Sequence, residues 1–214
     1  MMARALVFDF NGTLSRDEPI LCATYQALFA EHGRPLSEAD YYGQLAGHTE
    51  EAIISTWLEV DGAELEELIG ERIRRYVEAA ADGSTIEPPV RDAVRYAAAR
   101  VPVAVCSGAF RAEIAPVLEG AGLGSLFTAL VTADDVERGK PDPEGYVRAV
   151  ALLGECLEPG QVVAFEDTEA GIASAKGAGL RCLAVRGTLP DGRLARADEL
   201  VDRIDLALVQ SLVG

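Results

Sequence analysis

The chain has 214 residues, of which 49% are hydrophobic, 25% charged and only 6% aromatic. Those proportions fit one folded domain, or one domain with an insert, and exclude disordered and collagen-like chains. A formal net charge of −16 argues against the basic face that electrostatic nucleic-acid binding needs. No apolar run reaches the roughly 18–20 residues of a membrane span. Neither nucleic acid nor membrane is therefore an expected partner. Cys22, Cys106, Cys156 and Cys182 stand far apart with no CxxC pair, which reads as buried thiols in a reducing compartment rather than disulfides or a zinc site. The start, Met1–Asp9, lacks the charged-then-apolar arrangement of a secretory signal, so a cytoplasmic location is expected.

The first element is an apolar strand over Ala5–Phe10. Three helical patterns follow without a strand between them. Pro19–Glu31 carries Leu21, Tyr25, Leu28 and Phe29; Glu50–Leu58 carries Ile53, Ile54 and Trp57; Glu64–Ala81 carries Leu68, Ile69, Ile73 and Tyr76. Trp57 and Tyr76 fall on the apolar faces and are expected to pack the core of this helical block. Pro88-Pro89 marks a break. Then helix and strand alternate: helix Asp92–Arg100, strand Val101–Cys106, helix Ala112–Glu119, strand Ala129–Thr132, helix Glu144–Leu153, strand Val162–Phe165, helix Glu169–Ala178 and strand Cys182–Val185. Short runs apolar on both faces suit parallel strands covered by helices on both sides. The pattern predicts a doubly wound, Rossmann-like α/β sheet. The core is expected over 1–14 and 85–214, with a small helical domain inserted over 15–84.

Ligands of open parallel sheets bind outside the carboxyl ends of the strands. The residues there are Asp9-Phe10-Asn11-Gly12-Thr13-Leu14, Ser107-Gly108, Gly139-Lys140-Pro141 and Glu166-Asp167-Thr168. Acids suit a hard cation such as Mg²⁺. A lysine, a serine hydroxyl and the N–H groups beside a glycine suit phosphate oxygens. Lys140 gains weight because the chain has only two lysines, Lys140 and Lys176.

These four motifs, in this order and each after a strand, resemble the haloacid dehalogenase superfamily. The branch is the one with a helical cap, which includes β-phosphoglucomutase-like and phosphoglycolate-phosphatase-like members. The resemblance spans the whole chain. It implies a phosphoric monoester hydrolase for a small phosphorylated metabolite. Asp9 would be the nucleophile, passing through an aspartyl-phosphate. Mg²⁺ would be held by Asp9, the backbone carbonyl of Asn11 and Asp167, with Glu166 direct or through water. Lys140 would neutralise transition-state charge, and Ser107, with the N–H of Gly108, would hold a phosphate oxygen. Phe10, Asn11 and the loop residues Gly47 and His48 would complete the substrate site. Thr13 would support the turn after the first strand. The segments Ser15–Asp17 and Thr85–Pro88 would be the hinges of the cap, in a monomer or weak homodimer.

One position departs from the pattern. Family phosphatases and mutases carry a second Asp two residues after the nucleophile, to move a proton. Here it is Asn11, and an amide cannot shuttle a proton. Positioned acid–base catalysis contributes about 10²–10⁴-fold, so turnover is slow, or the leaving group is good, or Asp17, Glu18 or His48 substitutes. His48 also reads simply as a surface loop histidine, and His32 as a structural residue at a helix end. The inserted block has no lysine, which argues against the Schiff-base phosphonatases. Glu166-Asp167 argues against the metal-free dehalogenases. In the mutase pattern an arginine follows the cap loop; here Glu50 follows Gly47-His48-Thr49. A phosphatase is the preferred reading; a sugar-phosphate mutase, or a phospho-ligand-binding protein with little turnover, are the alternatives.

Overall fold

All residues of β1 (Ala5–Phe8) are buried, and a strand with no wet face needs a helical layer on each side. The computed structural model, which describes residues 2–46 and 48–214, supplies both layers. Between β1 and the next strand run α1 (Glu18–Glu31), α2 (Glu38–Asp40) with a π-helical turn at Tyr41–Leu45, α3 (Glu50–Leu58), α4 (Gly62–Ala80) and α5 (Pro88–Ala98). The alternating part follows: β2 (Val103–Cys106), α6 (Arg111–Gly120), β3 (Ala129–Val131), α7 (Glu144–Leu153), β4 (Val162–Glu166), α8 (Glu169–Gly177), β5 (Arg181–Val185), β6 (Glu199–Val201) and α9 (Leu206–Val213).

The six strands among the described residues are all parallel, in the order β3-β2-β1-β4-β5-β6. Val7 pairs with Ala104 on one side and Ala164 on the other. β1 is thus flanked by strands from opposite directions of winding, which opens a crevice at its carboxyl end.

Strand alternation divides the core. Leu6 and Phe8 pack with Val90 and Val94 of α5, Ile114 of α6 and Val209 of α9. Ala5 and Val7 face the other way, onto Tyr146 and Ala149 of α7 and Ile172 of α8. Phe8 stacks on Phe165, ring centroids 5.0 Å apart. Each large apolar side chain buried this way contributes about 1.5–3 kcal/mol relative to exposure.

A third cluster belongs to the helices after β1. It joins Tyr25, Leu28 and Phe29 of α1, Tyr41 and Leu45, Ile53 and Ile54 of α3, and Leu68 and Ile69 of α4. Trp57 packs against it as expected, stacked on Phe29 at 6.1 Å. Tyr76 does not. Together with Ala80 it joins the main core on the sheet, because the last turns of α4 reach past the helical block.

Other differences from the sequence reading have local causes. β1 stops at Phe8, because the Phe10 carbonyl accepts the N–H groups of Thr13, Leu14 and Ser15 and turns the chain. α5 starts at Pro88 rather than Asp92, since proline needs no N–H partner in a first helical turn. β6 is a three-residue edge strand with an exposed glutamate, too short and polar to stand out. α9 has a visible cap, Asp205 accepting the Leu208 N–H at 2.9 Å. Cys22, Cys106 and Cys182 are buried, whereas Cys156 is exposed on the loop after α7. Among the described residues no helix is long and apolar enough to cross a membrane.

Candidate active site

Asp9 lies one residue beyond β1, and its backbone N–H still donates to the Phe165 carbonyl at 2.9 Å. That bond holds its carboxylate beside the end of β4. The turn that follows depends on Gly12, whose φ is 73°. A Cβ there would also strike the Asp167 carboxylate and crowd Thr188. Glycine is therefore what lets the loop and Asp167 approach.

β4 ends in Glu166, and Asp167 follows it directly; both are buried. Thr168 caps α8 by accepting the Gly171 N–H at 3.1 Å. The Glu166 side chain folds over Gly171, where a Cβ would overlap its carboxylate. The Asp167 N–H donates to Glu166 Oε2 at 3.3 Å, and Thr13 donates to Asp167 Oδ1 at 3.4 Å.

Lys140 comes from the loop before α7. Ser174 anchors that loop by donating to the Asp142 carbonyl at 2.5 Å, and the Glu144 N–H donates to Asp142 Oδ1 at 3.0 Å. Lys140 Nζ then donates to Asp9 Oδ1 at 2.6 Å and to Glu166 Oε1 at 2.5 Å. The Tyr146 hydroxyl donates to the same Glu166 oxygen at 2.6 Å. Burial works against the Lys140 charge, but Asp9 and Glu166 outweigh it and hold the ammonium well above the usual lysine value.

Asp9, Glu166 and Asp167 each offer an oxygen within 4.8 Å of the others. Burial, with the charges of Asp9 and Glu166, pushes Asp167 well above the usual carboxylate range. Burial raises Glu166 too, against the pull of Lys140. Three buried carboxylates thus face one ammonium, a charge excess that a divalent cation would neutralise. An all-oxygen donor set is the set a hard cation prefers.

Ser107 follows β2, tied by its N–H to the Val131 carbonyl at 2.9 Å. Its Oγ accepts the Ala109 N–H at 3.1 Å, which leaves the hydroxyl proton free to donate. Gly108 lies beside it on the wall of a cleft of about 370 Å³. Asp9, Asn11, Ser107, Lys140 and Asp167 line the sheet side of that cleft; Glu18, Tyr25, His48 and Glu50 line the helical side. Glu166 sits behind this wall. The Phe10 ring is buried in the core, so any contact of Phe10 with a ligand would go through its backbone. His48 is exposed at the rim, and Gly47 lies outside the described residues. His32 is structural, its Nδ1 lying 2.9 Å from the Leu28 carbonyl.

Asn11 turns its amide away from a bare loop position. Nδ2 donates to Asp17 Oδ2 at 2.9 Å, and the Tyr76 hydroxyl donates to the same oxygen. Asp17 is fully buried, and its Oδ1 has no hydrogen-bond partner among the described residues. Burial pushes its carboxyl up to about 7.

Sequence reading did not single out Tyr146, Thr188 or the role of Arg72. Tyr146 shows only as one apolar position on α7. Arg72 is fully buried, ion-paired with Glu50 and Glu113, with its guanidinium 5.5 Å from the Tyr25 ring. No local signal separates it from Arg74 and Arg75, which pair outward with Glu71, Glu78 and Glu31.

The chain resembles known proteins over nearly its whole length. The chain is 33% identical over 203 residues to validoxylamine A 7'-phosphate phosphatase of Streptomyces hygroscopicus subsp. limoneus, covering 94% of this chain and 93% of that one. It is 30% identical to a phosphorylated carbohydrates phosphatase of Thermotoga maritima, covering 88% of each. The crystal structure of a mutant CbbY from Rhodobacter sphaeroides in complex with xylulose-1,5-bisphosphate superposes with a TM-score of 0.86 at 25% identity over all of both chains. The family model described as haloacid dehalogenase-like hydrolase matches residues 3–179, and the chain belongs to that family of hydrolases.

Proposed function

We propose that the protein is a cytoplasmic, Mg²⁺-dependent phosphatase of a small phosphorylated metabolite, of the sugar-phosphate kind. The observation that carries the reading is the meeting of Asp9, Lys140, Glu166 and Asp167 at one sheet edge, beside the free hydroxyl of Ser107. The phosphatase names of the two relatives support the same class.

Asp9 attacks phosphorus and becomes an aspartyl-phosphate, which water then hydrolyses. Lys140 neutralises charge on the phosphoryl oxygens as it develops, while Tyr146 and Glu166 keep the ammonium in place. Ser107 and the Gly108 N–H hold a further oxygen. Asp9, Asp167, Glu166 and the Asn11 carbonyl would hold the Mg²⁺, which supplies Lewis-acid polarisation of the phosphoryl group.

Residues 15–84 act as a cap over a core of 1–14 and 85–214. Their separate apolar cluster and their share of the cleft wall support this. The hinges Ser15–Asp17 and Thr85–Pro88 touch, Ser15 Oγ donating to Thr85 Oγ1 at 2.8 Å and the Arg16 N–H to the Thr85 carbonyl at 2.9 Å. Every arginine of the 15–84 segment faces a carboxylate. That favours a substrate with one phosphate over a mutase, which needs a free cation for a second.

The test is phosphate release from p-nitrophenyl phosphate and a panel of sugar phosphates. Release should need Mg²⁺ and vanish on Asp9→Asn. Release that survives Asp9→Asn removes the nucleophile. An isomerised sugar phosphate instead of free phosphate would mean the mutase, and strong binding without release the binder.

A further inference from the structure

We infer that Glu18 is the proton donor and acceptor of this active site, the part that Asn11 cannot play. The inference rests on the phosphatase reading. The alcohol of an alkyl phosphate leaves as an alkoxide unless its bridging oxygen is protonated, so a positioned acid is required somewhere on the cleft wall.

The structure separates the candidates. Asp17 is fully buried, does not line the cleft, and spends Oδ2 on Asn11 and Tyr76. It is a positioning residue for the Asn11 amide. His48 is exposed at the rim. Glu50 is ion-paired with Arg72. Asp142 is tied to the Glu144 N–H and faces Arg138. Glu51 and Glu137 are exposed.

Glu18 differs from all of these. It stands in the first turn of α1, half-buried, on the helical wall of the cleft that Asp9 lines from the sheet side. The Tyr41 hydroxyl donates to its Oε1 at 3.0 Å, which orients the carboxyl, while Oε2 takes no hydrogen bond from the described residues. Burial, helped by the charge of Asp9, raises its affinity for a proton.

The proton balance closes. As an Asp9 oxygen bonds to phosphorus, the bond from phosphorus to the alcohol oxygen breaks. That oxygen keeps the electron pair and takes the proton from Glu18, leaving as the alcohol. Glu18, now a carboxylate, takes a proton from water as the water oxygen bonds to phosphorus. The bond from phosphorus to Asp9 breaks, inorganic phosphate departs, and both carboxyl groups return to their starting states.

The experiment compares an alkyl phosphate that the wild type hydrolyses with p-nitrophenyl phosphate, whose leaving group needs little protonation. Glu18→Gln should lower kcat on the alkyl ester by about 10²–10³-fold and on the aryl ester far less. Asn11→Asp added to Glu18→Gln should recover the alkyl activity. Tyr41→Phe, which keeps the ring and loses only the hydrogen bond, should give a smaller loss with the same substrate bias; it serves if Glu18→Gln folds poorly. Equal losses on both esters, or none, overturn the role of Glu18. No phosphate release from either ester by the wild type overturns the phosphatase reading, and this role with it.

Discussion

Asn11 and Asp17 are joined by a 2.9 Å hydrogen bond that runs from a cleft-lining amide to a fully buried carboxyl group. The same Asp17 oxygen accepts the Tyr76 hydroxyl of α4, so one buried acid ties the loop after β1 to a helix 59 positions further along the chain.

This acid gives folding a pH dependence. Folded Asp17 keeps its proton up to about pH 7, against an ordinary value of 3.8. Between those values the folded state binds more protons than the unfolded chain, so stability falls as pH rises and levels off above about pH 7. Asp17→Asn removes the titration and keeps an acceptor. The Tm of the wild type, measured against that of Asp17→Asn, should drop from about pH 4 to pH 7. Parallel Tm profiles would contradict the raised value.

Lys140 separates two buried carboxylates at hydrogen-bond distance. Lys140→Ala leaves Asp9 and Glu166 facing each other and removes the charge aimed at the phosphoryl group. Phosphate release from p-nitrophenyl phosphate should fall by about 10²–10³-fold. Retention of wild-type kcat would take Lys140 out of the mechanism.

The acidic cluster predicts a metal effect that needs no turnover. Mg²⁺ should raise Tm by binding the folded state alone, and EDTA should reverse it. Asp167→Asn should abolish the shift. Gly171→Ala should weaken it, because the new Cβ displaces the Glu166 carboxylate. A shift unchanged in both variants would place the ion elsewhere.

Arg72, fully buried, bridges Glu50 of α3, on the cleft wall, and the buried Glu113 of α6. Arg72→Met strands the buried Glu113 carboxylate, leaves Glu50 unpaired on the cleft wall, and should cost about 3–5 kcal/mol in urea unfolding. The triple change Arg72→Met, Glu50→Gln, Glu113→Gln should cost less, since no unpaired charge remains. A triple variant no more stable than Arg72→Met would contradict this account.

Sequence alone determined the parallel α/β core and the points where chemistry could sit. Buried parallel strands are contiguous apolar runs, and ligands of such sheets meet the strand ends. Asp9, Ser107, Lys140 and Glu166-Asp167 could therefore be read in order. Only the tertiary structure decided which side chains turn toward one another. It separated Asp17, sealed under Asn11 and Tyr76, from its neighbour Glu18, on the cleft wall. It turned Arg72 inward to Glu113 while Arg74 and Arg75 turned out, and it brought Tyr146 to Glu166. The physical reason is range. Hydropathy periodicity reports how each residue faces its own element, whereas these pairings depend on how α1, α4, α6 and α7 pack across long stretches of chain.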